Sequence, residues 1–338
     1  MKTVKLDLGE RSYDITVGGG LLNDAKKYLN LERRVFILTD TGVPKEYSEK
    51  IMNQAKEAVI FTALEGEGTK SLATLTKVLE VMLDFEMTRS DCLVAVGGGV
   101  VGDLGGLAAS MYMRGIDFYN VPTTLLSQVD SSIGGKTAVN LKGVKNIVGA
   151  FYQPKHVLCD VDTLKTLPKR QISAGLAECV KMAATSDSEL FEIFEKSTSL
   201  DVEDIIVRSI NIKRAVVEAD ERESGMRKLL NFGHTYGHAV EASSPTGQLY
   251  HGECVSIGMV PMCSESVRAR LIPILRRLEL PTKYEGDVKA ALGLVVHDKK
   301  CKGCHVDAVF VDEIGRGRIE SVPVEEFSKL IKERLSAL

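Results

Sequence analysis

The chain has 338 residues, 44% hydrophobic and 26% charged. That is the balance of a soluble globular protein and too long for one ordinary core, so two domains are expected. Its 43 Lys and Arg against 46 Asp and Glu leave a formal charge of −3, which argues against a general nucleic-acid binder. No apolar run approaches the ~18 residues of a membrane span. The amino terminus mixes charged and apolar residues, with no apolar core of a signal peptide. Seven cysteines scattered through the chain do not make a disulfide framework, and the cytoplasm is the expected compartment.

In chain order, residues 4–8 and 13–17 read as strands of a hairpin. Residues 35–39 form a short apolar run, 44–57 have helical character, and 59–64 read as another strand. Residues 71–85 place Leu72, Leu75, Val78, Leu79 and Met82 at helical spacing. The apolar run 92–96 enters Gly97-Gly98-Gly99, followed by a helical stretch over 104–111. Strands alternating with helices predict a parallel sheet in an α/β domain. Beyond about residue 165 strand signals thin out, and 172–186, 189–196, 205–218, 234–242, 253–270 and 324–335 all read as helices. The domain boundary is expected near 160–168, where Pro168 interrupts the chain.

Gly97 to Gly102 meets the pattern G-x-G-x-x-G between a strand and a helix. Such a turn lets a phosphate approach the backbone and meet N–H dipoles, although glycines after a strand often only make a tight turn. Asp40 follows the strand 35–39, where an acidic side chain takes a ribose hydroxyl pair. Glu67 and Lys70 stand in a second strand-to-helix loop. The stretch 121–137 is rich in Ser, Thr and Gly, with Asp130 and Lys136 nearly its only charges. It suits an anion or polyol pocket, or an irregular connection capped by hydroxyls.

Three of the six histidines, His234, His238 and His251, lie within 18 positions. That crowding points to a metal site, an acid/base site, or both. His234 and His238 share a helix face, as do Glu178 and Lys181. Thr235 stands where a zinc peptidase needs Glu, which rejects that reading. A catalytic metal takes three protein ligands. The candidates are His234, His238, His251, Glu178, Glu241 and Glu253, among which spacing does not choose. Lys213, Arg227, Lys228 and Lys299-Lys300 are anion-binding candidates. Cys301, Cys304 and His305 lack a second pair at zinc-ribbon spacing.

Together these stretches resemble the sugar-phosphate cyclase family, in its dehydroquinate-forming branch. The resemblance runs through GGGVVGDLGG (97–106), SMYMRGI (110–116), VPTTLLSQVDSSIGGKTAVN (121–140), KNIVGAF (145–151), TLKTLPKR (163–170), GLAECVK (175–181), DERESGMRKLLNFGHTYGHAVE (220–241) and HGECVSIGM (251–259). It implies a Rossmann-like NAD-binding α/β domain over 1–165, and a mainly α-helical domain over 166–338 that binds metal and substrate. It also implies a homodimer, with a small phosphorylated sugar acid as partner and no nucleic acid or membrane.

By the same resemblance, zinc or cobalt is held by Glu178, His234 and His251. NAD is held by Asp40, by the loop Glu65, Gly66, Glu67, Gly68, Thr69 and Lys70, and by Gly99, Val100, Val101, Gly102 and Asp103. Thr123, Thr124, Lys136, Lys145, Thr163, Leu164, Lys165 and Thr166 complete that set. Asp130, Lys136, Asn146, Lys181 and His238 are the expected catalytic residues. Arg114 (from the partner subunit), Lys213, Arg227, Asn231 and Lys299 are the expected substrate contacts, with Lys300 the alternative to Lys299. The stretch 301–311 departs from the family pattern by lacking the basic residue often seen in the strand after Lys299-Lys300.

The implied reaction turns 3-deoxy-D-arabino-heptulosonate 7-phosphate into 3-dehydroquinate and phosphate, the second step of the shikimate pathway. It runs by transient oxidation with NAD, elimination of phosphate, re-reduction, ring opening and aldol closure. A sibling cyclase, a metal-dependent alcohol or glycerol dehydrogenase of similar fold, and a catalytically dead NAD-binding regulator are the rivals.

Overall fold

The computed structural model describes every residue except 246, 296–300, 303–304 and 337–338, and the backbone alone of 301–302. The chain divides into two compact units. One comprises Met1–Leu167 with Val202–Arg214, the other Pro168–Asp201 with Ala215–Leu338.

The first unit carries β1 (Lys2–Leu6), β2 (Tyr13–Gly18), β3 (Arg34–Asp40), α1 (Lys45–Met52), β4 (Glu57–Ala63), α2 (Leu72–Asp84), β5 (Cys92–Gly97) and α3 (Gly99–Met111). β6 (Asp117–Pro122), β7 (Lys136–Leu141), β8 (Val144–Phe151) and β9 (His156–Asp160) follow. Seven strands form one sheet in the order β1-β2-β9-β6-β5-β3-β4. β1 and β2 pair antiparallel and the others parallel. Helices cover both faces, so the inner strands are apolar without alternation. Phe36, Leu38, Leu93 and Ala95 pack with Val78 of α2 and Leu104 and Ala108 of α3. Val35, Ile37, Val94 and Val96 face the opposite way, onto Leu22, Tyr47 and Ile51.

After β4 the chain crosses back over β3 to lay down β5. The strand order reverses there, which opens a crevice at the carboxyl ends of β3 and β5. Asp40 ends β3, and Gly97 ends β5.

α1 stops at Met52, short of the expected 57, because Glu57 is taken by β4. There it pairs with Arg34 in the parallel register, their side chains 2.9 Å apart. The hydroxyl-rich stretch after Pro122 is more ordered than an irregular connection. A short helical turn over Ser127–Ser131 leads into the antiparallel hairpin β7–β8. Its two-residue loop, Lys142-Gly143, has positive φ at both positions, 50° and 78°, as a twisted hairpin requires.

The second unit is mainly helical: α4 (Lys169–Ser186), α5 (Ser188–Lys196), the end of α6 (Val202–Ala219), α7 (His234–Ser243), α8 (His251–Met259), α9 (Glu265–Arg277), α10 (Val288–Leu294) and α11 (Val324–Ser336). Most of α6, up to Arg214, groups with the first unit, although the sequence placed it after the boundary. The helix expected over 253–270 is two helices. Ser264 caps the second by accepting from Val267 N–H. A small antiparallel sheet, β10 (Cys301–Lys302), β11 (His305–Glu313) and β12 (Arg316–Pro323), goes beyond the one strand after Lys299-Lys300 that the resemblance implies. Among the described residues, no helix is long and apolar enough to cross a membrane.

Candidate active-site groups

Three helices of the second unit build a compact polar cluster. Gly252 and Gly258 let them close in. A Cβ on Gly252 would fall well under 3 Å from the Ala174 carbonyl of α4, and one on Gly258 equally close to that of Gly233, before α7. α8 therefore touches both neighbours backbone to backbone. His234, His238 and His251 meet with ring centroids 5.2–5.6 Å apart. Their ligand atoms lie within 4.8 Å of one another. Oε1 of Glu178, fully buried on α4, stands 3.7 Å from Nε2 of His234 and 3.4 Å from Nε2 of His251.

Outer contacts fix both rings. His234 Nδ1–H donates to the Phe232 carbonyl at 3.1 Å, and His251 Nδ1–H to Glu241 Oε2 at 3.2 Å. In each neutral ring Nε2 then keeps the lone pair toward Glu178, the usual arrangement of metal-bound histidine. Burial alone would lower the basicity of His251. The hydrogen bonds and charges of Glu178 and Glu241 outweigh it and push the imidazole up to about 10. The cluster thus calls for positive charge, and a divalent cation would displace the proton. A buried carboxylate oxygen with imidazole nitrogens fits zinc or cobalt.

One turn beyond Glu178, Lys181 donates to Glu178 Oε2, and both are almost wholly buried. Glu253, a ligand candidate by sequence, is engaged by Arg170 instead. Arg227 is buried and donates to the Glu221 carbonyl. Asp220 organises the turn before it, accepting from the N–H groups of Ser224, Gly225 and Arg227 at 2.9, 2.6 and 3.1 Å. Burial opposes ionisation of Asp220, but these bonds prevail and hold its carboxyl at about 2. Asn231 donates to Glu223. Lys299 and Lys300 lie outside the described residues.

In the first unit, α3 starts at Gly99 with Gly98 as its cap and no side-chain cap. Its amino-terminal N–H groups suit a phosphate. Val100, Val101 and Gly102 follow in its first turn, with Val101 buried. Asp40 accepts from Gly42 N–H at 2.8 Å, and burial, with Glu65 nearby, raises its carboxyl. In the loop 65–70, Gly66 has φ 98° ahead of Glu67 and Gly68, and Thr69 donates to the Leu64 carbonyl. Buried Lys70 reaches Asp103 Oδ2 at 2.6 Å and Asn146 Oδ1. Burial raises the Asp103 carboxyl and Lys70 opposes the rise.

Thr123 N–H donates to the Gly97 carbonyl, and Thr124 Oγ1 accepts from Ser127 N–H. Thr163, Leu164, Lys165 and Thr166 form a short helical turn. Thr166 reaches the Tyr47 hydroxyl, while Lys165 is exposed and paired with Asp162. Lys213 donates to both the carboxylate and the carbonyl of Asp130. Lys136 opens β7, and Lys145 and Asn146 lie on β8. Arg114 follows α3 in left-handed backbone, φ 68°.

Sequence reasoning missed Asn140. It accepts from Asn146 N–H at 2.8 Å and donates to Glu67 Oε1 at 2.9 Å, joining the hairpin to the 65–70 loop. Asn140 closes the quoted stretch 121–140, but nothing local marks it.

The fold and the donor set together define a class. A 2-deoxy-scyllo-inosose synthase, solved with carbaglucose-6-phosphate, NAD+ and Co2+, superposes with a TM-score of 0.86 at 25% identity, over 98% of this chain and 99% of that one. A 2-epi-5-epi-valiolone synthase from Streptomyces hygroscopicus, with NAD+ and Zn2+ bound, superposes at 0.88 with 26% identity and the same coverage. These are sugar-phosphate cyclases. Residues 60–174 match the family model described as 3-dehydroquinate synthase N-terminal, and 175–301 that described as 3-dehydroquinate synthase C-terminal. A 3-dehydroquinate synthase of Streptococcus thermophilus is 41% identical, covering 98% of this chain and 99% of the relative. The chain belongs to the 3-dehydroquinate synthase family.

Proposed function

We infer that the chain converts 3-deoxy-D-arabino-heptulosonate 7-phosphate into 3-dehydroquinate and phosphate. The observation that carries this reading is the buried Glu178 carboxylate converging with His234 and His251 in a chain that matches the family over nearly its whole length. When bound, a zinc or cobalt ion on Glu178, His234 and His251 supplies Lewis acidity to a ring hydroxyl, and NAD supplies a reversible hydride acceptor.

The chain's own residues do the rest. His238, beside the other two imidazoles, exchanges protons with substrate hydroxyls. Lys181 holds Glu178 through their buried ion pair. Asp130, held by Lys213, orients a hydroxyl. Lys213, Arg227 and Asn231 take the carboxylate, and Lys136 and Asn146, with Arg114 of the partner subunit, the phosphate, each charge-assisted contact contributing about 1.5–3 kcal/mol. Lys299 joins them as a substrate contact. NAD rests on Asp40, the 65–70 loop, the start of α3, Thr123-Thr124, Lys136, Lys145 and 163–166.

Phosphate release from the heptulosonate phosphate, with NAD and Zn²⁺ or Co²⁺ and no net NADH, is the expected result. Absence of release sinks the reading. Net NADH from a simple alcohol would favour the dehydrogenase rival.

The working form is a homodimer. Met113, Leu141, Val144, Ile147 and Phe151 of the first unit are exposed in the single chain, an apolar excess that a second copy would cover. Light scattering is expected to give twice the chain mass. The cytoplasm, a reducing compartment, suits the seven scattered cysteines.

A further inference from the structure

Arg170 lies eight residues before Glu178 on α4, with Ala174 midway. Residues four apart share a helix face, so these three form one row. Each meets α8 or its approach at a different point. Arg170 grips Glu253, donating through Nε to Oε1 at 2.6 Å and through Nη2 to Oε2 at 2.8 Å. Ala174 meets Gly252 in backbone contact. Glu178 reaches His251.

Arg170 holds the preceding loop as well. Nη2 also donates to the Gln248 carbonyl at 2.6 Å, and the guanidinium stacks 4.5 Å from the centroid of Tyr250. Glu253 Oε2 accepts from Tyr250 N–H at 2.8 Å. One guanidinium therefore fixes Gln248, Tyr250 and Glu253, the residues on either side of His251.

We propose that Arg170 is a positioning residue of the metal centre, clamping the amino end of α8 so that His251 Nε2 and Glu178 Oε1 converge on one ion. Glu253 is then the anchor of that clamp and not a ligand. The guanidinium is suited to this because its planar fork fixes direction as well as distance, which a lysine ammonium does not. The proposal rests on the reading of Glu178, His234 and His251 as ligands.

The test titrates the metal-free full-length protein with Co²⁺ alone, following the visible ligand-field band and the dissociation constant against a competing chelator. Arg170→Ala is expected to weaken Co²⁺ binding by about 10–100-fold, as loss of outer-sphere partners does, and to shift the band. Arg170→Lys is expected to recover part of the affinity. A dissociation constant within about twofold of the parent with an unchanged band, against the 10–100-fold loss expected, overturns the proposal. Should Arg170→Ala not fold, Glu253→Gln carries the same test with the same two outcomes, since it keeps the side-chain volume and an oxygen for the Tyr250 N–H. His251→Ala separates the two ideas. If it leaves the band unaltered, the ligand set fails. If it abolishes the band while Arg170→Ala is silent, only the positioning role fails.

Discussion

Lys181→Met tests the electrostatics of the cluster. Lys181 is 1% exposed and its ammonium sits on Glu178, itself 0% exposed. Methionine keeps the length and apolar stem and deletes only the charge. Breaking a buried pair by removing one partner costs about 3–5 kcal/mol. His251, cationic at pH 7 because its imidazole is pushed up to about 10, stands 3.4 Å from the same carboxylate and offsets part of the loss. The metal-free protein should therefore lose about 3 kcal/mol, the low end of that range. At about 2–4 °C per kcal/mol for a domain of 150–250 residues, its melting temperature should fall by about 6–12 °C. With metal bound the loss should shrink below about 1 kcal/mol, since the ion supplies the missing charge and binds only the folded state. Lys181 no longer repels the ion, so the metal dissociation constant should also fall. Turnover drops in either case. Calorimetry of parent and variant, in chelator and in excess Zn²⁺, reads all of this. An equal loss under both conditions would refute the reasoning, as would no loss in chelator.

Gly258→Ala places a methyl against backbone atoms of Gly233 and Gly237. Overpacking of this kind costs at least about 1–3 kcal/mol. Separation of α7 from α8 should weaken metal binding more than about tenfold, on the scale of outer-sphere damage, which a chelator competition measures. Asp220→Asn removes the charge that gathers three backbone N–H groups before Arg227. The expected result is a substrate KM about tenfold higher, some 1.4 kcal/mol, with kcat little changed; a fall in kcat alone would contradict it. Burial lowers the basicity of His156, beside Thr16, although Asp14 opposes the shift. Its folded pKa lies below the ordinary 6.5, so the unfolded chain takes the proton first and stability falls as pH drops through 6.5. His156→Gln should reduce the difference in urea midpoint between pH 7.5 and 5.5, and an unchanged difference would exclude His156 as its source.

What could be read from the sequence follows from what is local. β3 and β5 are continuous apolar runs because both faces are covered, and such runs are legible without partners. The hairpin β7–β8 was not legible, because its outer positions are exposed and its turn is only Lys142-Gly143. β12 was missed for a similar reason: it is mostly exposed or half-buried and lacks an apolar face of its own.

The histidine crowding marked the cluster, but its chemistry is set by partners far away in sequence. Glu178 enters from α4; separately, within the first unit, the contact that places Asp130 is Lys213, 83 residues on. Arg170 and Glu253 are also 83 residues apart. Spacing within one helix does show that Arg170, Ala174 and Glu178 share a row. It does not show that the row has a facing surface. That surface exists only because Gly252, on α8, offers no Cβ to the Ala174 carbonyl. A larger residue there would hold α8 off, and both Arg170–Glu253 and Glu178–His251 would open together. The glycine that carries no chemistry sets the distance at which Glu178 and His251 can meet.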